Sequence, residues 1–128
     1  MLVALAWDTH VHHHAANRWF DAHRGPWATC AVTEAGFVRV SSNPKVISGA
    51  VSVADARAVM RALRGSGEHR FLVNAVSQVD PDVPAVTGHR QVTDSLLIAV
   101  AKRSGMRLLT FDAGLAAMAE SDVTLLRR

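Results

Sequence analysis

The sequence predicts an α/β fold in which helices cover both faces of a parallel sheet. Two patterns point there. Segments with a helical repeat of apolar residues alternate with short, continuous apolar runs, the pattern of βα units with buried parallel strands. Most helical segments are also bounded by a cap or a breaker. The chain has 128 residues, of which 49% are hydrophobic and 20% charged. That supports a core, and no boundary or internal repeat divides it, so one domain over 1–128 is expected.

The elements follow in order. Leu2 to Trp7 is apolar and starts without a visible cap. Thr9 is placed to cap a helix from His10 to His23, with Val11, Ala15, Trp19 and Ala22 on one face. Arg24-Gly25-Pro26 stops it. Trp27 to Val32 reads as a strand, and Thr33 as the cap of a helix from Glu34 to Ser41. Asn43-Pro44 is a turn. Ser52, with Asp55 three residues on, opens a helix carrying Val53, Ala56, Val59, Met60 and Leu63 on one side and ending at Gly65. Arg70 to Val73 is expected to be a buried strand, and 78–88 a loop. Gln91 to Ser104 is a helix with Leu96, Leu97, Val100 and Ala101 inward, ended by Gly105. Met106 to Phe111 is a strand, Asp112 to Ala119 a short helix and Val123 to Leu126 the last strand.

Composition narrows the function classes. No apolar run is long enough to span a bilayer. The opening apolar segment lacks a basic leader and runs straight into Asp8 and histidines, so it is not read as a signal peptide. A single cysteine, Cys30, forms no internal disulfide, which fits a cytoplasmic protein, and it reads as a small buried strand residue. Net charge is +3, and all basic residues but Lys45 and Lys102 are arginine. Guanidinium groups favour phosphate-bearing partners.

Three acidic residues stand where such a sheet gathers reactive groups, at the carboxyl ends of its strands. Asp112 follows the Met106–Phe111 strand. Glu34 opens the helix that leaves the Trp27 strand. Asp94 is in the first turn of the helix leading into the Met106 strand, and that helix runs back over the strand's carboxyl end. Clustered carboxylates repel unless a cation lies between them, and hard oxygen donors select Mg²⁺ or Mn²⁺. The bland alternative is that each acid only decorates a helix start. Asp55, Asp80, Asp82 and Asp122 lack this placement and are read as solvated.

Four segments carry a family resemblance. Leu5-Ala6-Trp7 to His13, the run Thr33-Glu34-Ala35-Gly36-Phe37-Val38-Arg39-Val40, the run Gly88-His89-Arg90-Gln91-Val92-Thr93-Asp94 with Leu96 to Ala101, and Thr110-Phe111-Asp112 with Gly114-Leu115 occur in this order. Together they resemble the PIN-domain ribonucleases of the VapC toxin type. The resemblance implies a PIN-like three-layer sandwich and a Mg²⁺- or Mn²⁺-dependent endoribonuclease cutting structured RNA such as tRNA or rRNA. It also implies a VapB-type antitoxin as partner and a homodimer. Glu34, Asp94 and Asp112 match the family's acidic positions, and Thr110 a hydroxyl position near the site. His89, Arg90 and Arg39 are placed to meet RNA phosphate or, equally, to pack and cap.

The match departs from the family at the start. The family's first strand ends in Asp-x-Asn, and aligning Leu2 to Trp7 puts that pair just before Met1. Asp8 is no substitute, because it lies roughly 10 Å or more along the first helix from the lost position. A start upstream of Met1, a truncated copy, and a three-acid set with water in the gap each account for this; the first is expected. A chain lacking that strand is expected to bind Mg²⁺ weakly and to cut RNA poorly. The alternative function is therefore an impaired PIN-like module that binds antitoxin without cutting RNA, and a more distant one is a metal-dependent phosphatase. His10, His12, His13 and His14 are read as a solvated face rather than a zinc site, since no second pair stands at zinc spacing. Trp7, Trp19 and Trp27 are read as core or interface rather than base-stacking residues.

Overall fold

The computed structural model describes residues 1–73 and 75–128. The chain divides into two compact units, Met1–Val73 and Asn74–Arg128. Helices and parallel strands alternate in both, the α/β pattern predicted, although strands are few.

The first unit contains α1 (Leu2–Ala6), α2 (His13–Ala22), β1 (Pro26–Cys30), α3 (Ala31–Ser41), α4 (Val53–Arg64) and β2 (Glu68–Leu72). β1 and β2 pair in parallel, with Trp27 opposite His69 and Thr29 opposite Phe71. The core includes Ala4, Leu5, Ala16, Trp27, Cys30, Phe37, Ala56 and Met60. Trp7 stacks on Phe37 with ring centroids 6.2 Å apart. Its indole N–H donates to Ser41 Oγ at 2.8 Å, fastening the turn after α1 to α3. Phe20 and His69 meet Trp27 edge to face. Trp7 and Trp27 are thus packing residues, as read, and Cys30 is a buried strand cysteine.

Several expectations for this unit are corrected. α2 starts at His13 with His12 as its cap position, not behind Thr9. Its buried position is Ala16 rather than the Ala15 row, and Val11 is exposed. A rotation of one residue about the helix axis separates the two stripes, and periodicity in an alanine-rich segment does not distinguish them. The histidines are not simply solvated: the His13 Nδ1–H donates to the Ala4 carbonyl at 2.9 Å and ties α2 to α1. α3 starts three residues earlier than predicted. Cys30 is its N-cap position, and Thr33 reaches back from inside the first turn so that its Oγ1 accepts the Cys30 N–H at 2.9 Å. The threonine does cap, but from the opposite side of the helix boundary. β2 is mostly exposed, not buried; Phe71 is 39% accessible. Ser52 behaves as predicted, its hydroxyl accepting the Asp55 N–H at 3.0 Å.

The second unit contains a 3₁₀ turn (His89–Gln91), α5 (Val92–Arg103), β3 (Leu108–Thr110), α6 (Ala113–Met118) and β4 (Val123–Leu125). β3 and β4 are parallel neighbours, Leu109 opposite Thr124. Ile98, Leu115 and Val123 form the core, with Leu108, Ala116 and Met118 against it. Val100 and Ala101 of α5 are buried as predicted; its deepest residues are Ser95, Ile98 and Ala99, while Leu96 and Leu97 are only half-buried. Gly105 follows α5 at φ +64, a conformation that glycine adopts without strain, so β3 can begin. Asp80 and Asp82, read as solvated, both pair with Arg103 at the end of α5 and pin the preceding loop.

Candidate active site

The second unit brings two of the three predicted acids together. Asp94 sits in the first turn of α5. Asp112 is the N-cap of α6, two residues beyond β3, and its Oδ1 accepts the Leu115 N–H at 3.1 Å. Its own N–H donates to Thr110 Oγ1 at 3.0 Å, so the buried Thr110 hydroxyl sets the backbone that presents Asp112. Thr110 therefore acts on Asp112's position. One Asp112 oxygen does the structural work of a cap; the other has no hydrogen bond among the described residues.

The electrostatics are unfavourable for both acids ionised together. Burial pushes the Asp94 carboxyl above its ordinary value, and the nearby Asp112 charge pushes it further. A carboxylate at the amino end of a helix is ordinarily stabilised by the unpaired N–H groups there. At Asp94 burial, and after it the Asp112 charge, act in the opposite direction. No basic side chain pairs with either acid among the described residues. Two hard oxygen donors without a cation of their own fit a divalent metal better than they fit each other. His89 and Arg90 lie exposed in the 3₁₀ turn just before α5.

Glu34 belongs to the first unit and has partners that the sequence did not reveal. Thr29 Oγ1 donates to Glu34 Oε1 at 2.6 Å and lies 2.8 Å from His69 Nε2. A threonine hydroxyl has one proton. Donating it to Glu34 leaves the oxygen to accept from His69, which fixes the Nε2–H tautomer. Arg64 adds an ion pair at 3.7 Å and lies over the Phe71 ring. Burial holds the His69 imidazole below its ordinary value; Arg64 lowers it further, and Glu34 opposes both. Thr29 and His69 share a sheet face because their register partners are two residues apart. Only the strand register could have found them. Arg39 is exposed in the last turn of α3. Within neither unit do three or more His, Cys, Asp or Glu side chains gather as a metal-holding group among the described residues.

Comparison with known proteins covers most of the chain. Residues 1–121 match the family described as PIN domain. The chain is 58% identical over 120 residues to Ribonuclease VapC38 of Mycobacterium tuberculosis (strain ATCC 25618 / H37Rv), covering 93% of this chain and 85% of that protein. It is 46% identical over 120 residues to Ribonuclease VapC39 of the strain CDC 1551 / Oshkosh, covering 91% and 86%. To Ribonuclease VapC29 of that strain it is 37% identical over 126 residues, covering 98% and 90%.

Proposed function

The chain belongs to the PIN-domain family, and from that membership we propose that it is a VapC-type toxin: a divalent-metal-dependent endoribonuclease held in check by a VapB-type antitoxin. The observation that carries the reading is the Asp94–Asp112 pair near the end of β3: burial and the neighbouring Asp112 charge raise the Asp94 carboxyl, and neither acid has a basic partner among the described residues. The relatives' printed name, ribonuclease, supports the substrate class.

In this reading Asp94 and Asp112 would hold Mg²⁺ or Mn²⁺, and Glu34 keeps its expected role as an acidic residue of the reaction. When bound, such a cation supplies a water of lowered pKa and offsets charge on the phosphodiester in the transition state. The chain's own residues do the positioning. Thr110 fixes the Asp112 backbone. Thr29 and Arg64 restrain the Glu34 carboxylate. His89 and Arg90, exposed next to the Asp94 helix, meet RNA phosphate. Structured RNA, tRNA or rRNA, is the expected target class.

The test measures cleavage of total tRNA and rRNA by the purified chain with Mg²⁺, Mn²⁺ or EDTA, beside growth of bacteria expressing it. Asp94→Asn and Asp112→Asn are each expected to reduce cleavage at least a hundredfold and to relieve growth arrest. Cleavage that persists in EDTA, or in both variants, sinks the reading. A chain that binds antitoxin but leaves RNA intact under every condition is the non-catalytic module instead.

A further inference from the structure

α3 and α4 of the first unit enclose an open groove of about 860 Å³. Its rim carries Arg39 from α3 and Arg57, Arg61 and Arg64 from α4, while Glu34 is the one acid on its wall. The α4 arginines are spaced four and three residues apart, so they share a helix face over roughly 10 Å of axis. Arg64 is committed to Glu34 and Phe71. The side chains of Arg39, Arg57 and Arg61 have no ion pair or hydrogen bond among the described residues. Cations on one face without acidic neighbours repel each other, and a polyanion relieves that repulsion.

We propose that the α3–α4 groove binds the phosphate backbone of single-stranded RNA through Arg39, Arg57 and Arg61, leading the strand past Glu34. This rests on the ribonuclease reading and extends it to the substrate's path. Four guanidinium groups against one carboxylate select an anion, and the guanidinium fork matches phosphate oxygens. Val38 and Met60 also line the groove, and apolar lining weakens screening of those charges by water. Phe71, on a mostly exposed strand, adds an aromatic ring to the wall, a feature that unpaired bases use and base-paired ones do not.

The experiment measures binding of a fluorescein-labelled 20-nucleotide oligouridylate to the full chain in EDTA, so that cleavage plays no part. Salt is varied, and the variants are Arg57→Ala/Arg61→Ala, Arg57→Lys/Arg61→Lys and Arg18→Ala, the last an exposed α2 arginine outside the groove. The double alanine variant is expected to bind about tenfold more weakly, and its slope of log affinity against log salt to flatten by about 1.4, roughly 0.7 per lost contact. The lysine pair retains most of the slope because it keeps the charges, and Arg18→Ala changes little. Unchanged melting temperatures show that the fold is intact. Affinity and slope unaltered by the alanine pair overturn the proposal, as does an Arg18→Ala effect of equal size. If the alanine pair instead loses only a VapB-type antitoxin, the groove is a protein surface and the proposal falls. A chain that cuts RNA without this salt-dependent binding leaves the nuclease standing and removes the groove; the converse result removes the nuclease alone.

Discussion

Thr29 has the most exacting environment of any single residue in the first unit. It is 2% accessible, and its one hydroxyl serves both the Glu34 carboxylate and the His69 ring. Thr29→Val keeps the shape and removes both bonds. The loss of stability is expected to be about 1–3 kcal/mol, because polar groups are left without their buried partner. Urea unfolding at neutral pH reads it directly, and a midpoint equal to the parent's contradicts the account. In the second unit the corresponding arrangement is looser. Asp94 has a charged neighbour rather than a hydrogen-bond partner, and its carboxyl is raised, whereas the network around Glu34 is closed. Carboxyls perturbed by burial and a like charge cluster at functional sites.

At the scale of elements, ion pairs tie the loop before α5 to that helix's last turn. Asp80 and Asp82 both engage Arg103, and Asp80 also accepts the Asp82 N–H at 3.1 Å. That backbone bond first, and Arg103 with it, lower the Asp80 carboxyl below the ordinary Asp value of 3.8. A lowered pKa in the folded state contributes stability above the unfolded value, and the contribution disappears as pH falls through the folded one. Asp80→Asn should therefore lower the melting temperature at pH 7, with the gap to the parent closing as the pH falls below the ordinary Asp value of 3.8. A gap of constant size across that range excludes the ionised Asp80 as its source. α6 depends on one cap in the same way that α4 depends on Ser52, and in α6 the capping residue is also the proposed ligand Asp112.

For the molecule as a whole, each unit has its own small core. Phe37 is 2% accessible in the first and Ile98 1% in the second. Phe37→Ala is expected to cost about 3–5 kcal/mol and Ile98→Ala about 2–5 kcal/mol, from lost burial and the cavity left behind. Thermal or urea unfolding checks both, and a change under 1 kcal/mol at either site means that the residue is not core. The arginine-rich charge of +3 is unevenly used. Arg64, Arg70 and Arg103 are tied to acids, whereas the α3–α4 groove keeps Arg39, Arg57 and Arg61 uncommitted among the described residues.

The sequence by itself determined the alternation of helices and strands, the parallel sense of pairing, the Ser52 cap, the Gly105 stop and the presence of Asp94 and Asp112 at helix starts near β3. Each of these is encoded within a few residues, through backbone hydrogen bonding, φ preference or repeat period. Which face of α2 turns inward, that Ser95 and Ile98 rather than Leu96 and Leu97 lie deepest in α5, that β2 stays exposed, and that Thr29 meets His69 forty residues away were decided only by tertiary structure. Those outcomes depend on strand register and on packing between distant elements. A one-residue rotation of an alanine-rich helix or a diagonal pair across two strands leaves no mark in the local pattern, yet it fixes which side chains touch.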